Sequence, residues 1–114
     1  MEHPLYPSAS KEISQKRSEL APDIMAAFQS FSQHVFADGA LSSRTKELIA
    51  VAVAHVTQCP YCIRSHTKRA RLKGVSEQEI MEGIWVATEM RAGGAISHSA
   101  LAIDTMNEED LKQE

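Results

Sequence analysis

The sequence predicts an all-helical fold, and three observations carry that expectation. Aromatic residues are only 5% of the 114-residue chain while apolar residues are 43%. A core of Ala, Ile, Leu, Val and Met favours helices, because strands are enriched in aromatic and β-branched residues. No alternation of period two survives, apart from a brief Val51–Val53 stretch inside a helix-length apolar run. Helix-starting and helix-stopping residues also recur at helix-length intervals. The expected architecture is a compact helical domain of about five to six helices spanning residues 1–114, with an arm over about 1–9 and a tail over about 107–114.

Each element has its own justification. Pro4 and Pro7 keep the arm extended, and a first helix is expected from about Ser10 to Leu20. Pro22 suits the first turn of a second helix, which reaches Phe36 before Ala37-Asp38-Gly39 breaks it. Ser42 or Ser43 caps a third helix running to about Thr57. The segment from Leu48 to Val56 is apolar on nearly every side except at His55, so this helix is expected to be buried all round, by its own domain or by another subunit. Pro60 opens a fourth helix, and Gly74 supplies its C′ residue. Ser76-Glu-Gln-Glu79 has the form of a capping box, which starts a helix reaching about Arg91. Gly93-Gly94 is expected to interrupt it, with Ala95 to Met106 resuming as helix. Phe28, Phe31, Phe36, Met81, Trp85, Met90 and Met106 sit where core or interface residues are expected.

Charge bounds the function. The net charge of -3 gives no global reason to expect nucleic acid. Positive charge is gathered in the middle, chiefly as Arg64, Lys68, Arg69, Arg71 and Lys73, with an acidic C-terminal third to pair with it. No stretch approaches the ~20 apolar residues of a membrane span. The start MEHPLYPSAS does not read as a signal peptide, so a cytoplasmic location is expected. No phosphate-binding glycine loop, haem attachment or nucleotide fingerprint appears, and no bound cofactor or metal is expected.

Chemistry concentrates around the two cysteines, Cys59 and Cys62. With Pro60 at the first helical position, Cys59 becomes the N-cap and Cys62 the third helical residue. Unpaired N–H groups and the helix dipole favour a thiolate there. One turn separates the two side chains, near enough for a disulfide. His66 stands one turn beyond Cys62 on the same face, placed to accept its proton. Glu47 is either a first-turn residue complementing the dipole of its helix or a carboxylate that orients His66, which requires the two helices to pack antiparallel. The dipole favours Cys59 as the more acidic thiol, whereas His66 favours Cys62, since it lies two turns (about 10 Å) from Cys59.

Glu47, then Cys59-x-x-Cys62, then His66, with the Ala/Val-rich helix before them and Gly93-Gly94-Ala95 after, resembles the alkylhydroperoxidase D (AhpD)-like proteins of the carboxymuconolactone decarboxylase superfamily. The resemblance covers roughly Ile24 to Met106. It implies that Cys62 is the peroxide-attacking thiolate, Cys59 the resolving cysteine, His66 the base and Glu47 its relay partner. It further implies a hydroperoxide substrate, an external dithiol or disulfide-reductase partner, and a homo-oligomer, either trimer or hexamer. Tyr61 stands where the founding peroxidase has a histidine between its cysteines.

Other readings share these residues. Cys-Pro-Tyr-Cys is also a glutaredoxin string, but that fold needs a strand before it, and helix precedes it here. Cys59, Cys62 and His66, with His55 or Glu47 as a fourth ligand, have a spacing that zinc accepts. A structural disulfide, or a helical assembly subunit that keeps the pair as a redox sensor, is a further alternative. Lactone decarboxylation is less favoured, because that branch typically lacks the cysteine pair. His55 reads as a satisfied histidine of the apolar helix, His98 as a packing or surface residue, and Arg91 as an anion ligand or a complement to a helix C-terminus.

Overall fold

The computed structural model describes residues 5–113, with side chains through Glu109. Five α-helices and no strand occur among the described residues: α1 (Lys11–Leu20), α2 (Pro22–Phe36), α3 (Ser43–Thr57), α4 (Pro60–Leu72) and α5 (Glu77–Gln113). The chain divides into two compact units, the first ending at Lys46 and the second beginning at Glu47, both within α3. Of the expected arm, residues 1–4 lie outside the described residues, and 5–9 form neither helix nor strand.

In the first unit, Ser10 caps α1 by accepting a hydrogen bond from the Ile13 amide at 3.2 Å. Pro22 opens α2, which packs on α1, yet neither helix contains a buried residue. Phe28 and Phe31 lie tilted against each other, 6.5 Å between ring centroids, with both rings largely exposed. Ser42 and Asp38 together prepare the start of α3. The Ser42 hydroxyl accepts from the Thr45 amide at 3.1 Å, and Asp38 Oδ1 accepts from the Ser43 amide at 2.7 Å. Lys46 Nζ donates to the Ala37 carbonyl, fixing the connection from α2.

The second unit holds the core. Val51 of α3, Ala70 of α4, Val75 of the α4–α5 turn and Ile80 of α5 are buried together, flanked by Leu48 and Ile84. A Cβ at Gly83 would lie 3.2 Å from Leu48 Cδ1, so glycine lets α5 approach α3 closely. The capping box before α5 is fully formed: Ser76 Oγ accepts from the Glu79 amide and Glu79 Oε1 from the Ser76 amide, each at 3.0 Å.

The expected interruption and tail of the last helix are both corrected. The helix beginning at Glu77 is not interrupted at Gly93-Gly94 but continues to Gln113, 37 residues in all. Two glycines weaken a helix by about 1 kcal/mol each, but unlike proline they keep their N–H donors, so the ladder runs through. The segment expected as a tail is accordingly helical from 107 to 113, and Glu114 lies outside the described residues. The third helix is also not enclosed on all sides within this chain. Glu47, Val51 and Ala54 are buried, whereas Ile49, Val53 and Val56 are 46%, 51% and 41% exposed. Trp85 and Met90 of α5 are each 64% exposed, so neither belongs to the core of this chain.

Candidate functional site

The site is built at the corner where α3 turns into α4. Gln58 follows α3 with φ 57, a left-handed conformation, and the Cys59 amide donates back to the Ala54 carbonyl at 3.2 Å. This bond from the second residue past the helix to its last turn reverses the chain in the manner of a Schellman motif. Cys59 is the N-cap of α4, its sulfur accepting from the Cys62 amide at 3.2 Å, and Pro60 occupies the first turn. Cys59 and Cys62 are joined as a disulfide with their Cα atoms 5.2 Å apart. The pair thus sits in the first turn of α4, as its spacing predicts.

The turn from α3 into α4 brings together two residues 19 positions apart. His66 Nδ1 and Glu47 Oε2 are 2.7 Å apart. Glu47 is 2% exposed, the one buried charged residue among those described. It is the fifth residue of α3, past the first turn, so the dipole-complement reading does not describe it. A carboxylate buried to this degree needs a hydrogen-bonded partner, and the imidazole supplies it. Because Nδ1 donates to the carboxylate, Nε2 is left with the lone pair in the neutral ring. His66 therefore has the tautomer of a base, on the helix that carries Cys62 one turn earlier.

The remaining sequence candidates are also placed. His55 Nδ1 donates to the Val51 carbonyl at 2.7 Å, one turn back on α3. His98 does the same to Gly94 on the exposed side of α5, at 2.7 Å. Arg91 donates to the Val56 carbonyl at 2.6 Å, complementing the C-terminus of α3 and not of its own helix. Of the basic residues of α4, Arg71 approaches Glu77 at 4.0 Å on the surface. With the two sulfurs bonded to each other and His66 held by Glu47, no group of three His, Cys, Asp or Glu among the described residues is arranged to hold a metal ion. No helix of the described residues is long and apolar enough to cross a membrane.

Sequence reasoning missed two features. A cleft of about 430 Å3 at the α3–α4 corner is lined by His55, Gln58, Pro60, Ile63 and Arg64. The left-handed Gln58 that shapes the corner was also missed, and glutamine carries no turn signal that would have found it.

The sequence model of the carboxymuconolactone decarboxylase family matches residues 22–105, which include every residue of the site. The chain belongs to this family. Family membership agrees with the resemblance carried by Glu47, Cys59, Cys62 and His66. A relative in Paracoccus denitrificans, uncharacterized protein 4 in the cox locus, is 53% identical over 91% of this chain and 93% of its own. A crystal structure of a Methanobacterium thermoautotrophicum protein has a TM-score of 0.71 at 33% identity, covering 74% of this chain and 94% of that one. The apo structure of a carboxymuconolactone decarboxylase family protein from Legionella pneumophila has a TM-score of 0.66 at 34% identity, covering 86% and 90%. A family protein from Thermotoga maritima, a candidate for an antioxidative response, has a TM-score of 0.57 at 30% identity, covering 74% and 87%.

Proposed function

We propose that the protein is a thiol-dependent hydroperoxide reductase that cycles Cys59 and Cys62 between dithiol and disulfide. The observation that carries this reading is the buried Glu47–His66 hydrogen bond at 2.7 Å, with His66 one turn from Cys62. In the reduced state His66 Nε2 takes the proton of Cys62, and Glu47 stabilises the resulting imidazolium. The Cys62 thiolate attacks the terminal peroxide oxygen, the O–O bond breaks, and the leaving alkoxide takes a proton to depart as alcohol (water, for hydrogen peroxide). Cys62 is then a sulfenic acid. Cys59 attacks its sulfur, water leaves, and the disulfide forms; an external dithiol resets the pair.

Cys62 has the attacking role because His66 is one turn from it and two turns from Cys59. The candidate antioxidative role of the Thermotoga maritima relative accords with this chemistry. The protein acts in the cytoplasm as a homo-oligomer, a trimer or hexamer. Exposed apolar side chains on α3 and α5, including Val53, Trp85, Val86 and Met90, support association, since a monomer rarely leaves this much apolar surface in water.

The test is direct. Metal-free, fully reduced protein is mixed with one equivalent of an organic hydroperoxide, and free thiols and intact mass are followed. Rapid loss of both thiols with formation of the Cys59–Cys62 disulfide is the expected result. Retention of both thiols overturns the peroxidase reading and returns zinc binding or a non-catalytic assembly role to the front.

A further inference from the structure

We propose that the second half of α5 from one protomer lies antiparallel along α4 of a second copy of this chain. This rests on the homo-oligomer proposed above and names the two surfaces that meet in it.

Charge on these helices is left unmatched within one chain. The sequence sets an acidic C-terminal third against the basic α4, yet among the described residues the pair formed on α4 is Arg71 with Glu77, 4.0 Å apart at the surface. The side chains of Arg64, Lys68, Arg69 and Lys73 are exposed and make no hydrogen bond or ion pair among the described residues. Asp104 and Glu108 of α5 are exposed and unpaired in the same sense. From Ala95 to Glu109 every residue of α5 is exposed, so this half of the helix has no cover in its own chain.

The two helices match in register. Arg64, Lys68 and Leu72 follow one another at steps of four and share one stripe of α4. Leu101, Asp104 and Glu108 follow at i, i+3, i+7 and share one stripe of α5. Laid antiparallel, Arg64 meets Glu108, Lys68 meets Asp104, and Leu72 meets Leu101. At 1.5 Å per residue the stripes span about 12 and 10.5 Å, so the three pairs align together. Leu72 and Leu101 are 79% and 64% exposed, and the contact takes both out of water. An exposed ion pair contributes at most about 1 kcal/mol, so the charges set partner and direction while the leucines add burial. A second copy is the occupant because the chain itself carries the complementary face. Each protomer can give its α5 to one α4 and receive another, so no charged stripe is left over when the assembly closes.

The experiment measures self-association of the intact chain by sedimentation velocity over a concentration series. Arg64→Glu with Lys68→Glu, and separately Asp104→Lys with Glu108→Lys, should each weaken association about tenfold to hundredfold, the scale of two pairs turned repulsive. All four changes together restore opposite charges across the contact and should return the dissociation constant to within about threefold of wild type. Lys11→Glu with Lys16→Glu shifts net charge as much as the α4 reversal, but on α1, and should change association by less than about twofold. Reversals without effect, or a fourfold variant that stays dissociated, overturn the proposal and leave the charge of α4 for an acidic partner of another kind. A wild-type chain that never self-associates defeats the homo-oligomer reading together with this interface. The hydroperoxide test is read on thiols, so its failure would leave this result standing.

Discussion

α3 and α4 end in the same kind of turn, and the two turns serve different purposes. At the end of α4, Gly74 takes φ 86, its amide donates to Arg71, and the Val75 amide donates to Ala70 at 3.0 Å. Ala70 and Val75 are both fully buried, so this turn closes on the core. At the end of α3, Gln58 takes the left-handed conformation, and the residue after it is Cys59, a half-buried N-cap whose sulfur is bonded to that of Cys62. Glycine occupies the left-handed position where the turn serves packing. Where it leads into the disulfide, a side chain stands there at a cost of about 1 kcal/mol and lines a cleft with His55, Pro60, Ile63 and Arg64. Backbone geometry is shared, and the residue that follows decides what the turn is for.

Substitutions should separate the two turns, beginning with the largest effect. Cys62→Ser is expected to abolish reaction with hydroperoxide, whereas Cys59→Ser should stop at a single-turnover sulfenic acid, trapped by a dimedone-type reagent. The opposite pattern would exchange the two roles. At the other turn, Val75→Ala removes two fully buried methyl groups and should destabilise the fold by about 2 kcal/mol in urea unfolding. The per-molecule oxidation rate of the folded fraction should not change. A loss of rate without a loss of stability would show that the turns are not independent.

Smaller effects probe the support for each turn. His66→Ala should move the alkylation profile of reduced Cys62 to higher pH, because a neighbouring imidazolium favours the thiolate and its removal disfavours it. A profile that does not move would remove His66 as the base. Gly74→Ala should cost about 1 kcal/mol through its positive φ, even though a Cβ there meets nothing within 4 Å. Gln58→Gly should instead stabilise by a few tenths of a kcal/mol, since relief of the left-handed strain is partly offset by the entropy of a freer unfolded chain. Equal signs for these two changes in thermal unfolding would end the comparison.

Much of the site was legible because it is local. The Cys59–Pro60–Cys62 register follows from one N-cap and one proline, and His66 follows from one helical turn. Glu47 was legible only as an alternative, since its meeting with His66 depends on how sharply the corner at Gln58 turns. Gly93-Gly94 misled because glycine weakens a helix without denying it hydrogen bonds, so the neighbouring turns carry α5 through. The apolar run of α3 indicated burial on every side, by its own domain or by another subunit, and such a pattern does not say which side a single chain covers.

The sequence by itself determined the first four helices, the capping box of α5 and the order of Cys59, Cys62 and His66 along α4, because these depend on residues within one turn of each other. Only the tertiary structure decided that Glu47 is buried against His66, that Arg91 ties α5 to the end of α3, and that a cleft opens among His55, Gln58, Pro60, Ile63 and Arg64. Those features join residues far apart in the chain. Their positions depend on the crossing of whole helices around Val51, Ala70 and Ile80, which no local propensity specifies.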